Sequence, residues 1–233
     1  MSEPTSPAGT VREHAREEMR RAIVDAGRAR LATDGPAGLS LRAVARDVGM
    51  VSSAVYRYVP SRDALLTALI IEAYDALGEA TEEAETQVDR SDIVGRWRAI
   101  GSGAREWALE HPHDWALIFG SPVIGYAAPA DTIPAATRIP SLLRDAQEAG
   151  VRLPDGAVDA QLRRTIGPVA DFFGDAVPPE TTVRGLMAWT WLTGSISHQL
   201  FGHRHNVVDD AAVFFAAELD RMADFLGLGR RER

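Results

Sequence analysis

Apolar residues recur at three- and four-residue intervals along nearly the whole chain, and no run alternates apolar with polar between hairpin turns, so the pattern predicts an all-α fold. The first helix opens with the capping-box spacing Thr10-Val11-Arg12-Glu13 and carries Ala15, Met19, Ala22, Ile23 and Ala26 on one stripe. It closes near Asp34 at Gly35-Pro36, and residues 1–9 read as a flexible tail. Ser40 is placed to cap a short helix through Val48, with Leu41, Val44 and Ala45 inward, and Gly49 ends it. A second short helix spans Ser52 to Tyr58 and stops at Pro60. Ser61 then caps a long helix with Leu65, Leu66, Leu69 and Ile70 apolar, running towards Glu79, and the acidic stretch from Glu79 to Asp92 reads as a solvated end and loop.

Further helices are predicted at 92–110, 112–119, 134–149, 155–174, 180–201 and 209–226, with 120–133 the longest loop. The domain organisation that follows is a tail over 1–9, a helix-turn-helix domain over 10–60, a connecting helix over 61–79 and a helical regulatory domain over 80–233. On this reading the connecting helix is the sole covalent link between the two functional parts.

Composition narrows the chemistry. The chain has 233 residues, 45% of them hydrophobic and 25% charged, enough for a sizeable core. With no cysteine, disulfides, thiolate metal sites and cysteine nucleophiles are excluded. No apolar run reaches the roughly 18 residues of a membrane-spanning helix, and no signal sequence is legible, so a soluble cytoplasmic protein is expected. All 25 basic residues are arginine. Residues 1–62 hold 10 Arg against 7 Asp and Glu, whereas 63–233 hold 15 against 26, so positive charge is confined to one end of a chain of net charge −8. Phosphate affinity needs local positive charge, and this end is the candidate nucleic-acid-facing segment.

The segment from Ser40 to Tyr58 carries that candidacy: two short helices about a turn at Gly49 have the form of a helix-turn-helix, whose second helix enters the major groove. Ser52, Ser53 and Ala54 are small enough to let the backbone approach base edges, Arg57 has the donors for guanine O6 and N7, and the hydroxyls of Tyr56 and Tyr58 suit phosphates. An ordinary helical hairpin has the same bare spacing. The run Ile23-x-x-Ala26, Gly35, Leu39-Ser40-Leu41-Arg42-x-Val44-Ala45-x-x-Val48-Gly49-Met50, Val55-Tyr56-Arg57-Tyr58-Val59 and Leu65-Leu66 resembles the DNA-binding domain of the tetracycline-repressor (TetR) family. The resemblance implies an all-helical homodimer, with three N-terminal helices on operator DNA and the remainder binding a small-molecule effector and the partner subunit. It implies that Ser40 and Arg42 touch backbone or base at the start of the second helix, that Ser52, Ser53, Ala54 and Arg57 face bases, and that Tyr56 meets a phosphate. The chain departs from the family pattern at Val51, where Ser or Thr is usual, at Tyr58 in place of a common His, and at Pro60 where Lys is frequent. The phosphate contact after the recognition helix then falls to Arg62.

The bulky aromatics lie mostly in the C-terminal part, where Trp107, Trp115, Phe119, Phe172, Phe173 and Trp189, with His198 as a polar contact, are candidate lining for an apolar or aromatic effector; plain core is the alternative for each. The passage 104–119 resembles the regulatory domains of one TetR subgroup. Leu186, Thr193, Ile196 and Leu200 on one helix, and Ala212, Phe215, Leu219 and Met222 on the next, repeat at helical spacing and are candidate dimer contacts, with burial inside one subunit as the alternative. No cofactor, membrane or metal is called for. A non-catalytic helical interaction protein and, less well supported, an enzyme or metal-binding regulator using His198, His203 and His205 remain alternatives. No His-Glu-x-x-His or Gly-x-Ser-x-Gly pattern supports catalysis. The expectation is a ligand-responsive transcriptional regulator, a repressor released by its effector.

Overall fold

A computed structural model describes residues 7–132, 158–173 and 178–228, excluding the side chains of 7–10, Ala37, Phe172 and Phe173. Among the described residues every regular element is helical, as the periodicity predicts. The helices are α1 (Pro7–Gly38), α2 (Leu41–Asp47), α3 (Ser52–Val55), α4 (Arg62–Thr86), α5 (Ile93–Glu110), α6 (Pro112–Phe119), α7 (Ala160–Thr165), α8 (Gly167–Phe173), α9 (Pro179–Leu200) and α10 (Ala211–Leu226). The helix expected at 134–149 lies outside the described residues.

The chain divides into two compact units. The first holds α1 to α3, α4 up to Ala73, and His113–Thr132; the second holds the rest of α4, α5 and α7 to α10. The boundary thus cuts α4, and the chain passes between units again at Pro112/His113 and after Thr132. The connecting helix is therefore not the sole link.

In the first unit, Ile23, Val24 and Leu31 of α1, Val44 of α2, Val55 of α3 and Leu65, Leu66 and Leu69 of α4 form the core. α1 begins at Pro7, earlier than Thr10, since proline is tolerated in a first helical turn. It breaks at Gly35 (φ 67, ψ 175) and resumes for one turn to Gly38. Ser40 takes the N-cap position of α2 with extended backbone but makes no side-chain capping bond; its carbonyl accepts from the Ala43 and Val44 amides at 3.0 Å each. The expected cap of α4 is present, the Ala64 amide donating to Ser61 Oγ at 3.0 Å. The 120–132 segment is loop apart from a single 3₁₀ turn at Ala130–Thr132.

In the second unit α4 continues to Thr86, so the stretch after Glu79 is not a solvated end. Thr81 and Glu85 are buried there, and Glu85 pairs with the buried Arg96 of α5 and, at 3.0 Å, with Arg90. Pairing makes burial of this acidic side chain tolerable. Asp92 caps α5 by accepting from the Gly95 amide at 2.9 Å, and Asp210 caps α10 by accepting from Ala212 and Val213. The helix expected over 155–174 is two short helices meeting at Ile166; Pro168, without an amide hydrogen, cannot continue the ladder. α5, α9 and α10 pack on one another, and a Cβ on Gly101 would stand 2.3 Å from Leu219 Cδ2, which places the α5 backbone directly against α10.

Candidate nucleic-acid interface

The interface is built from α2 upward. This helix buries Leu41, Ala43, Val44 and Ala45 and leaves Arg42 and Arg46 exposed. Its last turn closes by the Gly49 amide to Arg46 O (3.2 Å) and the Met50 amide to Ala45 O (2.8 Å). Gly49 sits at φ 68, a left-handed conformation that glycine adopts without steric cost, and this reverses the chain between the two helices. α3 is a single α turn, prolonged by bonds from the Arg57 amide to Ala54 O, the Tyr58 amide to Val55 O and the Val59 amide to Val55 O. It is shorter than the Ser52–Tyr58 helix expected, since Pro60 follows and Val51 at the N-cap offers no side-chain bond. One turn also aligns few peptide dipoles, so the helix end contributes little to anion binding.

Val55 and Val59 pin this turn to the core. Ser53, Tyr56 and Arg57 are exposed, and Ser40, Ser52, Ala54 and Tyr58 are half-buried. Arg42 and Arg57 have no ion-pair partner among the described residues, so their guanidinium donors stand available to an outside acceptor. All eight of Ser40, Arg42, Ser52, Ser53, Ala54, Tyr56, Arg57 and Tyr58 thus lie on or beside two short helices in contact with each other, and Arg42, Ser53, Tyr56 and Arg57 are the exposed ones.

Arg62 stands apart from them. Its Nε donates to Leu39 O at 3.1 Å and its Nη2 to Pro36 O at 2.7 Å, so one edge of the guanidinium faces the protein's own backbone.

Sequence reasoning missed the arginines that hold this scaffold. Arg30 of α1 grips Asp47 of α2 with two bonds, Nε to Oδ2 at 2.6 Å and Nη2 to Oδ1 at 2.9 Å, and also reaches Asp34 at 3.0 Å. The hydrogen bond from Arg30 holds the Asp47 carboxyl below the usual carboxylate range, and the two aspartates raise Arg30 further above its already high value. Arg28 of α1 donates to Glu72 of α4 at 2.6 Å and lies 3.6 Å from Asp114 of α6, whose Oδ1 is buried without a hydrogen-bond partner among the described residues. Tyr126 and Thr67 join hydroxyls at 2.9 Å. Only the Arg30–Asp34 pair has a sequence signal, its i,i+4 spacing; the others span from 17 residues, for Arg30 and Asp47, to the whole interval between Arg28 and Asp114.

The candidate effector residues do not form one group. Trp115 and Phe119, 4.5 Å apart, lie in the first unit, and Trp115 is fully buried core. Trp107 is buried in the second unit beside His111, and Trp189 there is half-buried. The side chains of Phe172 and Phe173 lie outside the described residues. The second unit instead aligns Trp97, Trp191 and Phe215 at centroid spacings of 6.4 and 6.1 Å, with Arg105 over the Phe215 ring and held by Gln199. His198 is exposed and so is not a core residue, with its ring 5.3 Å from that of His203. Among the described residues no three His, Asp or Glu side chains are placed to hold a metal ion.

Of the candidate dimer contacts, Ile196, Phe215 and Leu219 are at most 3% exposed in the single chain. Their burial against neighbouring helices of the second unit leaves no surface to offer a partner. Leu186 and Ala212 are exposed, and Thr193, Leu200 and Met222 are half-buried. The large apolar residues exposed on these helices are Leu186, Met187, Val213 and Phe214.

Residues 23–69 match the family model "Bacterial regulatory proteins, tetR family", and residues 97–222 match "Tetracyclin repressor-like, C-terminal domain". The chain is 39% identical over 218 residues to the HTH-type transcriptional regulators Rv1816 of Mycobacterium tuberculosis and Mb1846 of Mycobacterium bovis, covering 89% of this chain and 92% of each relative. The crystal structure of the protein SCO4313 superposes with a TM-score of 0.73 at 32% identity, over 91% of this chain and 98% of that one. A protein of unknown function from Rhodococcus sp. RHA1 shares the fold, with a TM-score of 0.66 at 22% identity over 87% and 92%. No described helix is long and apolar enough to cross a membrane. The helix-turn-helix with its outward arginines and the two family matches, which between them reach from Ile23 to Met222, agree: the chain belongs to the TetR family and is a DNA-binding transcriptional regulator.

Proposed function

We propose that the chain is a repressor that binds its operator as a homodimer and is released by a small apolar or aromatic effector. The observation that carries the reading is the turn Ser52–Arg57, anchored by Val55 and Val59, in which Arg57, like Arg42 of α2, is exposed and has no ion-pair partner among the described residues. Arg57 reads a guanine, Ser52, Ser53 and Ala54 let the backbone reach base edges, and Ser40, Arg42, Tyr56 and Tyr58 meet phosphates or neighbouring bases.

The exposed apolar residues Leu186 and Met187 of α9 and Val213 and Phe214 of α10 support a second copy of the chain as their cover. Such a dimer sets the two recognition turns about one DNA turn apart, roughly 34–36 Å. The effector binds in the second unit, where Trp107 and the half-buried Trp97, Trp189 and Trp191 supply aromatic surface. Its signal enters the first unit along α4 and along the 113–132 segment, which Asp114 and Tyr126 tie to α1 and α4.

A duplex enriched from a random pool by the wild-type chain tests the reading. The expected result is a palindromic sequence bound with steep salt dependence, since phosphate neutralisation releases counterions. Failure to enrich any sequence at low salt contradicts it.

A further inference from the structure

α2, which carries the turn to the recognition residues, is held at both of its ends by arginines from flanking helices. At its C-terminal end Arg30 of α1 holds Asp47. At its N-terminal end Arg62 of α4 holds the corner through which the chain enters α2. That corner needs a partner. α1 breaks at Gly35, a single turn runs to Gly38, and the chain then extends through Leu39 and Ser40. The Ala43 and Val44 amides of α2 bond to Ser40 O and leave Leu39 O unused by the helix, while Pro36 O receives from the backbone only a long 3.4 Å bond from the Leu39 amide. Arg62 gives each of these carbonyls a donor from one planar edge of its guanidinium, and the remaining Nη1 lies 3.7 Å from the neighbouring Asp63 carboxylate.

From this geometry we infer that Arg62 is a positioning residue for DNA recognition: it clamps the Pro36–Leu39 corner to the first turn of α4, thereby fixes α2 beneath the recognition turn, and makes no phosphate contact itself. Two parallel donors on a rigid plane are required, and lysine, whose ammonium is a single point on a flexible stem, cannot serve both carbonyls in this way. A phosphate contact, by contrast, survives exchange to lysine. The inference rests on the DNA-binding reading above.

Arg62→Lys and Arg62→Ala are compared with wild type on the duplex that wild type selects and on a scrambled duplex, across a salt series, at a temperature where circular dichroism shows each variant folded. The clamp predicts that Arg62→Lys already binds the selected duplex about tenfold more weakly. It also predicts little change on scrambled DNA and an unchanged slope of log affinity against log salt. Arg62→Ala behaves alike, and if it does not fold, Arg62→Lys alone decides. Wild-type affinity for Arg62→Lys, with a slope lower by about 0.9 for Arg62→Ala, identifies a phosphate contact and overturns the clamp. Wild-type affinity and slope in both folded variants overturns it too, leaving Arg62 a role in stability alone. A wild-type chain that selects no duplex overturns the regulator reading itself, an outcome separate from any difference among the variants.

Discussion

Arg57 and Asp47 show how position decides what a charged side chain does in this domain. Arg57 stands exposed one turn beyond Ser53, without an ion-pair partner among the described residues. Its truncation in Arg57→Ala is expected to cost about 1–3 kcal/mol of operator binding and to relax preference at one base pair per half-site. Tyr56→Phe, which removes a phosphate-directed hydroxyl, lowers affinity similarly for all sequences; competition binding with single-base operator variants separates the two. Asp47, although also exposed, is paired with Arg30 of α1. Because the pair lowers its carboxyl below the ordinary value of about 3.9, its contribution to stability is fully present above that value and is lost only as pH falls through the lowered one. Asp47→Asn is therefore expected to reduce stability from neutral pH down to about pH 4 and to converge with wild type in stronger acid. Urea titrations across that range check it, and a difference growing below pH 4 contradicts it.

At the scale of elements, helix periodicity and the cap at Ser61 were legible because they are local. Ser61 lies three residues from the amide it caps, whereas Ser40 takes its N-cap position without a side-chain bond, and the caps at Asp92 and Asp210 were not picked out. The end of α4 was not legible, because a run containing Glu79, Glu82, Glu83 and Glu85 looks solvated until Arg96, 11 residues further on, is brought beside Glu85. Glu85→Ala removes a buried carboxylate that pairs with the buried Arg96 and is expected to cost about 1–3 kcal/mol in chemical denaturation. The stripe on α10 misled for a related reason: one apolar stripe serves equally for a core or a partner, and Leu219 turns to α5 at Gly101. The two faces make opposite predictions. Leu219→Glu places a charge in the subunit core and unfolds the chain, while Met187→Glu, at a residue 55% exposed, yields a folded monomer in analytical ultracentrifugation. A folded dimer carrying Met187→Glu removes Met187 from the interface.

For the whole molecule, the helix-turn-helix was readable from sequence while the division of the chain was not. Nothing in the spacing of His113–Thr132 announces that it belongs with the N-terminal helices, since Asp114 and Tyr126 meet Arg28 and Thr67 only in the fold. If the effector acts through this segment, Tyr126→Phe is expected to reduce the coupling between effector and operator, normally about 5–150-fold, while operator affinity without effector stays near wild type. The central claim remains that the exposed turn from Ser52 to Arg57 reads a specific DNA sequence. Its most direct test is the affinity of the wild-type chain and of Arg57→Ala for the selected operator and a scrambled duplex of equal length, measured by fluorescence anisotropy at two salt concentrations. The account predicts that wild type prefers the operator by about 10³-fold or more and that Arg57→Ala loses affinity mainly for the operator, shrinking that ratio. Equal affinity of wild type for both duplexes, or equal loss on both in Arg57→Ala, contradicts it.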